Sequence, residues 1–180
     1  LPSSVLAARS DWTVANEETL VLTVAALIEA GRWLDASMEN RRHASSALAE
    51  AMATDSISMQ AILTGSIPIA GNPVASSDHV SFARNASAAP DRGQALWILS
   101  QMARWGQLPG SMKDSDFEQI AMQTFRQELF MKAVDRADVA MPSLRMRLAE
   151  NGVLEHLIDG NRFKPSQPKA YLESFEIGLR

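Results

Sequence analysis

Cysteine is absent from the 180 residues, which excludes disulfides, thiolate metal sites and cysteine nucleophiles. It leaves the compartment open, because many periplasmic proteins also lack cysteine. Histidine is scarce. His43, His79 and His156 are far apart in sequence, and neither a His-x-x-x-His pair nor an acidic calcium loop occurs, so each reads as solvated or structural. The nine glycines form no phosphate cradle of the Gly-x-Gly-x-x-Gly or Gly-x-x-x-x-Gly-Lys kind. Nor does a Gly-x-Ser-x-Gly elbow occur, so Gly65-Ser66 and Gly110-Ser111 read as loop residues. Long apolar runs are missing too: 20–28 is interrupted by Thr23 and ends in Glu29, well short of the roughly 18 residues of a membrane span. The 17 basic residues are scattered against 21 acidic ones, for a net charge of −4. The longest basic run, Arg41-Arg42, reads as a solvated face, and without a basic stripe a nucleic-acid partner is disfavoured.

The carboxylate pairs Glu17/Glu18 and Asp114/Asp116 stand at expected helix starts, where the positive helix end accounts for them without catalysis. The nine methionines are spread over several helices as core filler. Local motifs therefore support no enzyme and imply no metal and no cofactor.

A composition that is 46% hydrophobic is enough for one domain or a large piece of one. The chain opens Leu1-Pro2-Ser3-Ser4-Val5-Leu6-Ala7, with no initiator methionine and no charged segment ahead of an apolar core. The expectation is an internal piece of a longer polypeptide.

Periodicity predicts a helix-rich chain with a few short strands. A short strand is expected over 5–8. Asn16, followed by Glu17 and Glu18, opens a helix reaching about Asp35, with Leu20, Val21, Val24, Leu27, Ile28, Gly31 and Leu34 on one face. A second helix is expected over 39–52, with Ala44, Leu48, Ala51 and Met52 inward, and a third over 56–63, ended by Gly65. Glycine, proline and serine mark 65–90 as loop-rich, with Val80-Ser81-Phe82 as a brief strand. The most informative stretch is 91–109. Asp91 caps it, Gly106 is placed to leave through a left-handed residue, and Pro109 forbids continuation. Trp97 and Trp105, eight residues apart, should share nearly one face with Leu96, Leu99 and Ala103 beside them. Ser115 and Glu118 spell a capping box ahead of Phe117, Ile120, Ala121 and Phe125. Another helix is expected over 127–137, a turn at Asp159-Gly160-Asn161, and a last helix near 168–175.

Taken together, four stretches resemble, in order, the nitrate- and bicarbonate-binding proteins of ABC importers and the related soluble nitrate sensors. The tryptophan helix, Ala95-Leu96-Trp97-Ile98-Leu99-Ser100-Gln101-Met102-Ala103-Arg104-Trp105-Gly106, is similar to a family helix reading roughly Ser-His-x-Leu-Trp-Phe-Leu-Thr-Gln-x-x-Arg-Trp-Gly. Pro2-Ser3-Ser4-Val5-Leu6-Ala7, with Trp12 after it, resembles the Pro-x-x-Val-Leu-Gly strand. Ala25-Ala26-Leu27-Ile28-Glu29-Ala30-Gly31-Arg32-Trp33-Leu34-Asp35 resembles the long helix ending in Trp-Leu-Asp. Asp159-Gly160-Asn161-Arg162-Phe163-Lys164-Pro165 and Tyr171-Leu172-Glu173-Ser174-Phe175 resemble the closing motifs.

The resemblance implies an α/β, helix-rich fold that is the C-terminal portion of a type II periplasmic-binding-protein-like fold. Residues 1–180 then form a single segment, the C-terminal part of a two-lobed solute-binding protein. The implied function is binding and delivery of nitrate or a similar small inorganic anion in the periplasm, with ABC-transporter membrane subunits as partners. The alternative is a cytoplasmic sensor of the same fold that controls a regulatory partner. A third reading, an enzyme on a related fold, needs a nucleophile or base that the segment does not offer. Ser3 and Ser4 are the ligand-binding candidates. Ser4 aligns where many relatives place a lysine, and serine supplies one donor and no charge. Ahead of the tryptophan helix, where relatives often have Ser-His, this chain has Arg92-Gly93-Gln94.

Overall fold

The computed structural model describes residues 5–69, 72–75, 80–140 and 160–175. After a short helix α1 (Ser10–Ala15), the apolar period beginning near Asn16 folds as α2 (Glu17–Ala36), burying Val21, Ala25, Ile28, Gly31 and Leu34. Asn16 takes a different part from the expected one: its Nδ2 donates to the Trp12 carbonyl at 3.0 Å and closes α1. Helix α3 (Met38–Ala51) starts at Ser37, whose hydroxyl accepts from the Asn40 N–H at 3.0 Å. Its inward face is Arg41, Ser45 and Ala49. Among the residues expected there, Ala44 and Leu48 are half-buried while Ala51 and Met52 are exposed. Asp55 caps α4 (Ser56–Thr64), which ends at Gly65 with φ 71°, as its sequence predicts.

Next come β1 (Ser66–Ile69) and β2 (Asn72–Ala75), an antiparallel hairpin pairing Ile69 with Asn72 and Ser66 with Ala75. No strand forms at 80–82 or 5–8, since a strand needs a partner to receive its N–H and C=O groups. Arg84–Ala86 make a 3-10 turn.

Helix α5 (Arg92–Arg104) is capped by Asp91, whose carboxylate accepts from the Gly93 and Gln94 N–H groups at 2.8 and 3.4 Å. Gly106 has φ 71°. Trp97 is buried, but Trp105 is 69% exposed: the helix stops at Arg104, so the periodicity that would align the two rings no longer holds. Helix α6 (Asp114–Thr124) begins two residues earlier than the Ser115/Glu118 signature indicates, with the Lys113 N–H donating to Asp116 Oδ2 at 2.8 Å. Helix α7 (Gln127–Arg136) buries Leu129, Phe130, Ala133 and Val134. Helix α8 (Pro168–Glu173) has proline in its first turn, where the missing N–H is harmless. Among the described residues, no helix is long and apolar enough to cross a membrane.

Two compact units result. The first comprises Leu1–Asn16, Ala89–Lys132 and Met141–Arg180. Its core joins Ala95, Leu96, Leu99 and Ala103 of α5 to Phe117 and Ala121 of α6, and to Phe163, Tyr171 and Leu172. Each large apolar side chain there contributes about 1.5–3 kcal/mol by leaving water. The second unit comprises Glu17–Ala88 and Ala133–Ala140, and packs Ala49, Met59 and Leu63 with Leu48 and Phe82.

Candidate functional site

Two polar clusters stand out among the described residues, one in each unit. In the second unit, Asp35 lies at the end of α2, and Arg41 one helical turn into α3. The side chains of Arg41 and Asp35 are 3% and 8% exposed. Arg41 Nη2 donates to Asp35 Oδ1 at 2.5 Å, Nε to the Leu34 carbonyl at 3.1 Å and Nη1 to the Leu63 carbonyl at 2.9 Å. One guanidinium thus serves the free carbonyls near the ends of α2 and α4, where a cation is also electrostatically favoured. On its other side, Asp35 Oδ2 accepts from three consecutive backbone N–H groups, Phe82 at 3.1 Å, Ala83 at 2.7 Å and Arg84 at 2.8 Å. Burial pushes this carboxyl up, but the three N–H donors and Arg41 outweigh it and hold Asp35 below the ordinary carboxylate value. Gly31 makes the approach possible, since a Cβ there would meet Phe82 Cβ at 3.2 Å. Every strong hydrogen bond of the pair is used inside the protein, so the cluster is a clamp.

This places two sequence expectations. The Trp33-Leu34-Asp35 ending has a structural cause, because Asp35 fastens the 82–84 turn to α2. Arg41-Arg42 divides: Arg42 is exposed as expected, whereas Arg41 is 2% exposed and is the cation of the clamp. Its burial follows from helix phase, since it shares a face with Ser45 and Ala49.

In the first unit, the Tyr171 hydroxyl accepts from Trp97 Nε1 at 3.3 Å and Gln101 Nε2 at 2.9 Å. Phe163 and Phe175 meet the Tyr171 ring edge-on, at 5.1 and 5.0 Å between centroids. The Arg104 guanidinium stacks 3.7 Å from the Phe175 ring centre, a cation–π contact. Trp97, Gln101 and Arg104 of the tryptophan helix thus all engage Tyr171 or Phe175 of the closing segment. In the sequence, Gln101 and Tyr171 stand only as members of the family-like stretches, and no local pattern assigns either of them a role. Asp114 Oδ1 accepts from the Lys169 N–H at 3.0 Å, binding α6 to the start of α8.

Ser3 and Ser4 lie outside the described residues, as do His79 and His156. His43 is exposed and meets the Trp33 ring edge-on, at 6.1 Å. Among the described residues, no group of three or more His, Asp or Glu side chains is placed to hold a metal ion. What the described residues provide is scaffold: a buried ion pair fixed by backbone hydrogen bonds and aromatic packing around Tyr171.

No family model matches the chain. It is similar to the nitrate/nitrite binding protein NrtA of Nostoc sp., 27% identical over 98% of this chain and 40% of that protein. It is also similar to the bicarbonate-binding protein CmpA of Synechococcus elongatus, 24% identical over 98% of this chain and 40% of that one. The bicarbonate transport ATP-binding protein CmpC of Synechocystis is 30% identical over 98% of this chain, which spans 25% of its length. Among solved structures, the periplasmic nitrate-binding protein NrtA from Synechocystis aligns with a TM-score of 0.80 at 22% identity, covering 96% of this chain and 43% of that one. The fold is accordingly part of a type II periplasmic-binding-protein fold, helix-rich with few strands. The chain spans about 40% of the length of the binding proteins it matches.

Proposed function

Because the chain belongs to the nitrate- and bicarbonate-binding protein family of ABC importers, we propose that it is the C-terminal part of a two-lobed solute-binding protein. In this reading the whole protein captures nitrate or a similar small oxyanion in the periplasm, performs no chemistry, and delivers the anion to the membrane subunits of an importer. The observation that carries the proposal is similarity along 98% of the chain to proteins whose names state nitrate/nitrite or bicarbonate binding. Small monoanions are held by converging N–H and O–H donors, which closure of two lobes brings together. Ser3 and Ser4 are the donors proposed from this chain, each hydroxyl offering one hydrogen bond. The remaining donors then belong to the part of the polypeptide outside it.

A second reading has a specific observation in its favour. The 30% identical relative is named as an ATP-binding protein, which suits a cytoplasmic lobe that senses the anion and acts on a regulatory partner. An export signal in the full-length gene product selects the first reading, and fusion to an ATP-binding domain selects the second.

The test is thermal unfolding and calorimetry of the full-length product with nitrate, nitrite and bicarbonate, using sulfate as control. At least one of the three should raise the unfolding temperature; no response to any of them rejects the proposal. Ser4→Ala should weaken binding about five- to tenfold, the loss of one hydrogen bond worth about 1 kcal/mol. Unchanged affinity removes Ser4 from the pocket. The 180-residue chain alone should bind weakly or not at all, and micromolar binding by it would place the whole pocket within this chain.

A further inference from the structure

Helix α2 is apolar on two opposite sides. One is the core face described above. The other holds Thr19, Leu22, Thr23, Ala26, Ala30 and Trp33, which at 3.6 residues per turn share about a third of the circumference. All six are exposed, Leu22 at 43% and Trp33 at 45%, and none is charged. Glu18 and Glu29 border the stripe on one side only. A contiguous exposed stripe without charge, rimmed by polar residues, marks a contact surface. The relief of the stripe also suits packing: Leu22, Ala26 and Ala30 form an i, i+4 ridge that drops from leucine to two alanines, beside the short side chains of Thr19 and Thr23. That is a groove into which another helix can settle.

The absence of charge decides what kind of contact this is. Faces that dock and release repeatedly are about as polar as the rest of a protein surface, whereas permanent ones resemble a core cut in half. An importer's membrane subunits are a partner of the first kind. The length of the relatives indicates a partner of the second kind: 98% of this chain is matched, yet it accounts for only 40% of NrtA and CmpA. We infer that the outer stripe of α2 is the seat of an apolar helix supplied by the remainder of the same full-length polypeptide. The inference rests on the reading of this chain as part of a longer solute-binding protein.

The test uses single cysteines in the full-length product, made easy to read because these 180 residues contain none. Ala26→Cys and Ala30→Cys report on the stripe, and Ala47→Cys, exposed on α3, is the reference. Alkylation is followed peptide by peptide by mass spectrometry. Both stripe cysteines should react at least about tenfold more slowly than the reference, as buried sites that need local opening do. Equal rates overturn the inference. Slow labelling that recovers on dilution identifies a second copy as the cover, and protection gained only with membrane subunits identifies the transporter; either result overturns it. Slow labelling in a protein that ignores all three anions leaves the seam standing and rejects the solute reading.

Discussion

Asp35 stays ionised inside the protein because three peptide N–H groups and one guanidinium replace the water it has lost. Removing one member of such a pair is worse than never having it, since the other charge remains buried without compensation. Arg41→Ala should therefore cost about 3–5 kcal/mol, read as a lower urea midpoint, and a change under 1 kcal/mol would show that the clamp is dispensable. The pH dependence has a definite sign. The folded carboxyl is held below the unfolded value, so the stabilisation is full above about pH 4, the ordinary aspartate range, and is lost as pH falls through the depressed value. Acid titration of stability from pH 5 to pH 2.5 should fall less steeply in Asp35→Asn than in the native protein; parallel curves would assign the acid slope to other carboxyls. Asp35 was visible in the sequence as the end of a family-like Trp-Leu-Asp pattern. Arg41 was hidden, because beside Arg42 it looks like half of a solvated pair. Its companions do not mark a buried face, since Ser45 is polar and Ala49 is small.

At the scale of elements, α2 meets opposite demands at its glycine. Gly31 sits inside α2, where alanine is ordinarily better by up to about 1 kcal/mol. Here the added Cβ would lie 3.2 Å from Phe82 Cβ and 3.4 Å from Ala83 Cβ, and the Asp35 hydrogen bonds prevent that turn from backing away. Gly31→Ala should thus destabilise, the overpacking of about 1–3 kcal/mol exceeding the propensity gain; a higher melting temperature would show that the turn can yield. The cap of α5 is a simpler case, and Asp91→Ala should lower stability by about 1 kcal/mol. Helix starts and stops were the most legible part of this chain: Asp91, Gly106 and Gly65 are local signals acting on adjacent backbone. The hairpin was not legible, because Pro68 and Pro73 mark its segment as a loop. They are paired with each other across the two strands, which a ladder tolerates at a pair whose N–H groups it does not use.

For the whole molecule, the tryptophan helix makes sense only with residues some 70 positions away. Periodicity places Trp97 on one face of α5, and Gln101 stands in the same family-like stretch, but the Tyr171 hydroxyl they share depends on how the closing segment returns to α5 and α6. No local pattern encodes that return, nor the division of the chain into two units, each built from separated stretches. Each unit has its own buried cluster, which leads to a prediction that can be localised. Phe117 is 1% exposed and packs in the first unit's core with Ala95, Leu99, Phe163 and Tyr171. Phe117→Ala should remove about 3–5 kcal/mol through lost burial and the cavity left behind. Under native conditions, hydrogen exchange should quicken most in α5, α6 and α8, the helices that line that cluster, and least in α3 and α4, which pack around Met59 and Leu63. Uniform acceleration across both groups would mean that exchange proceeds by global unfolding, with the two cores failing together.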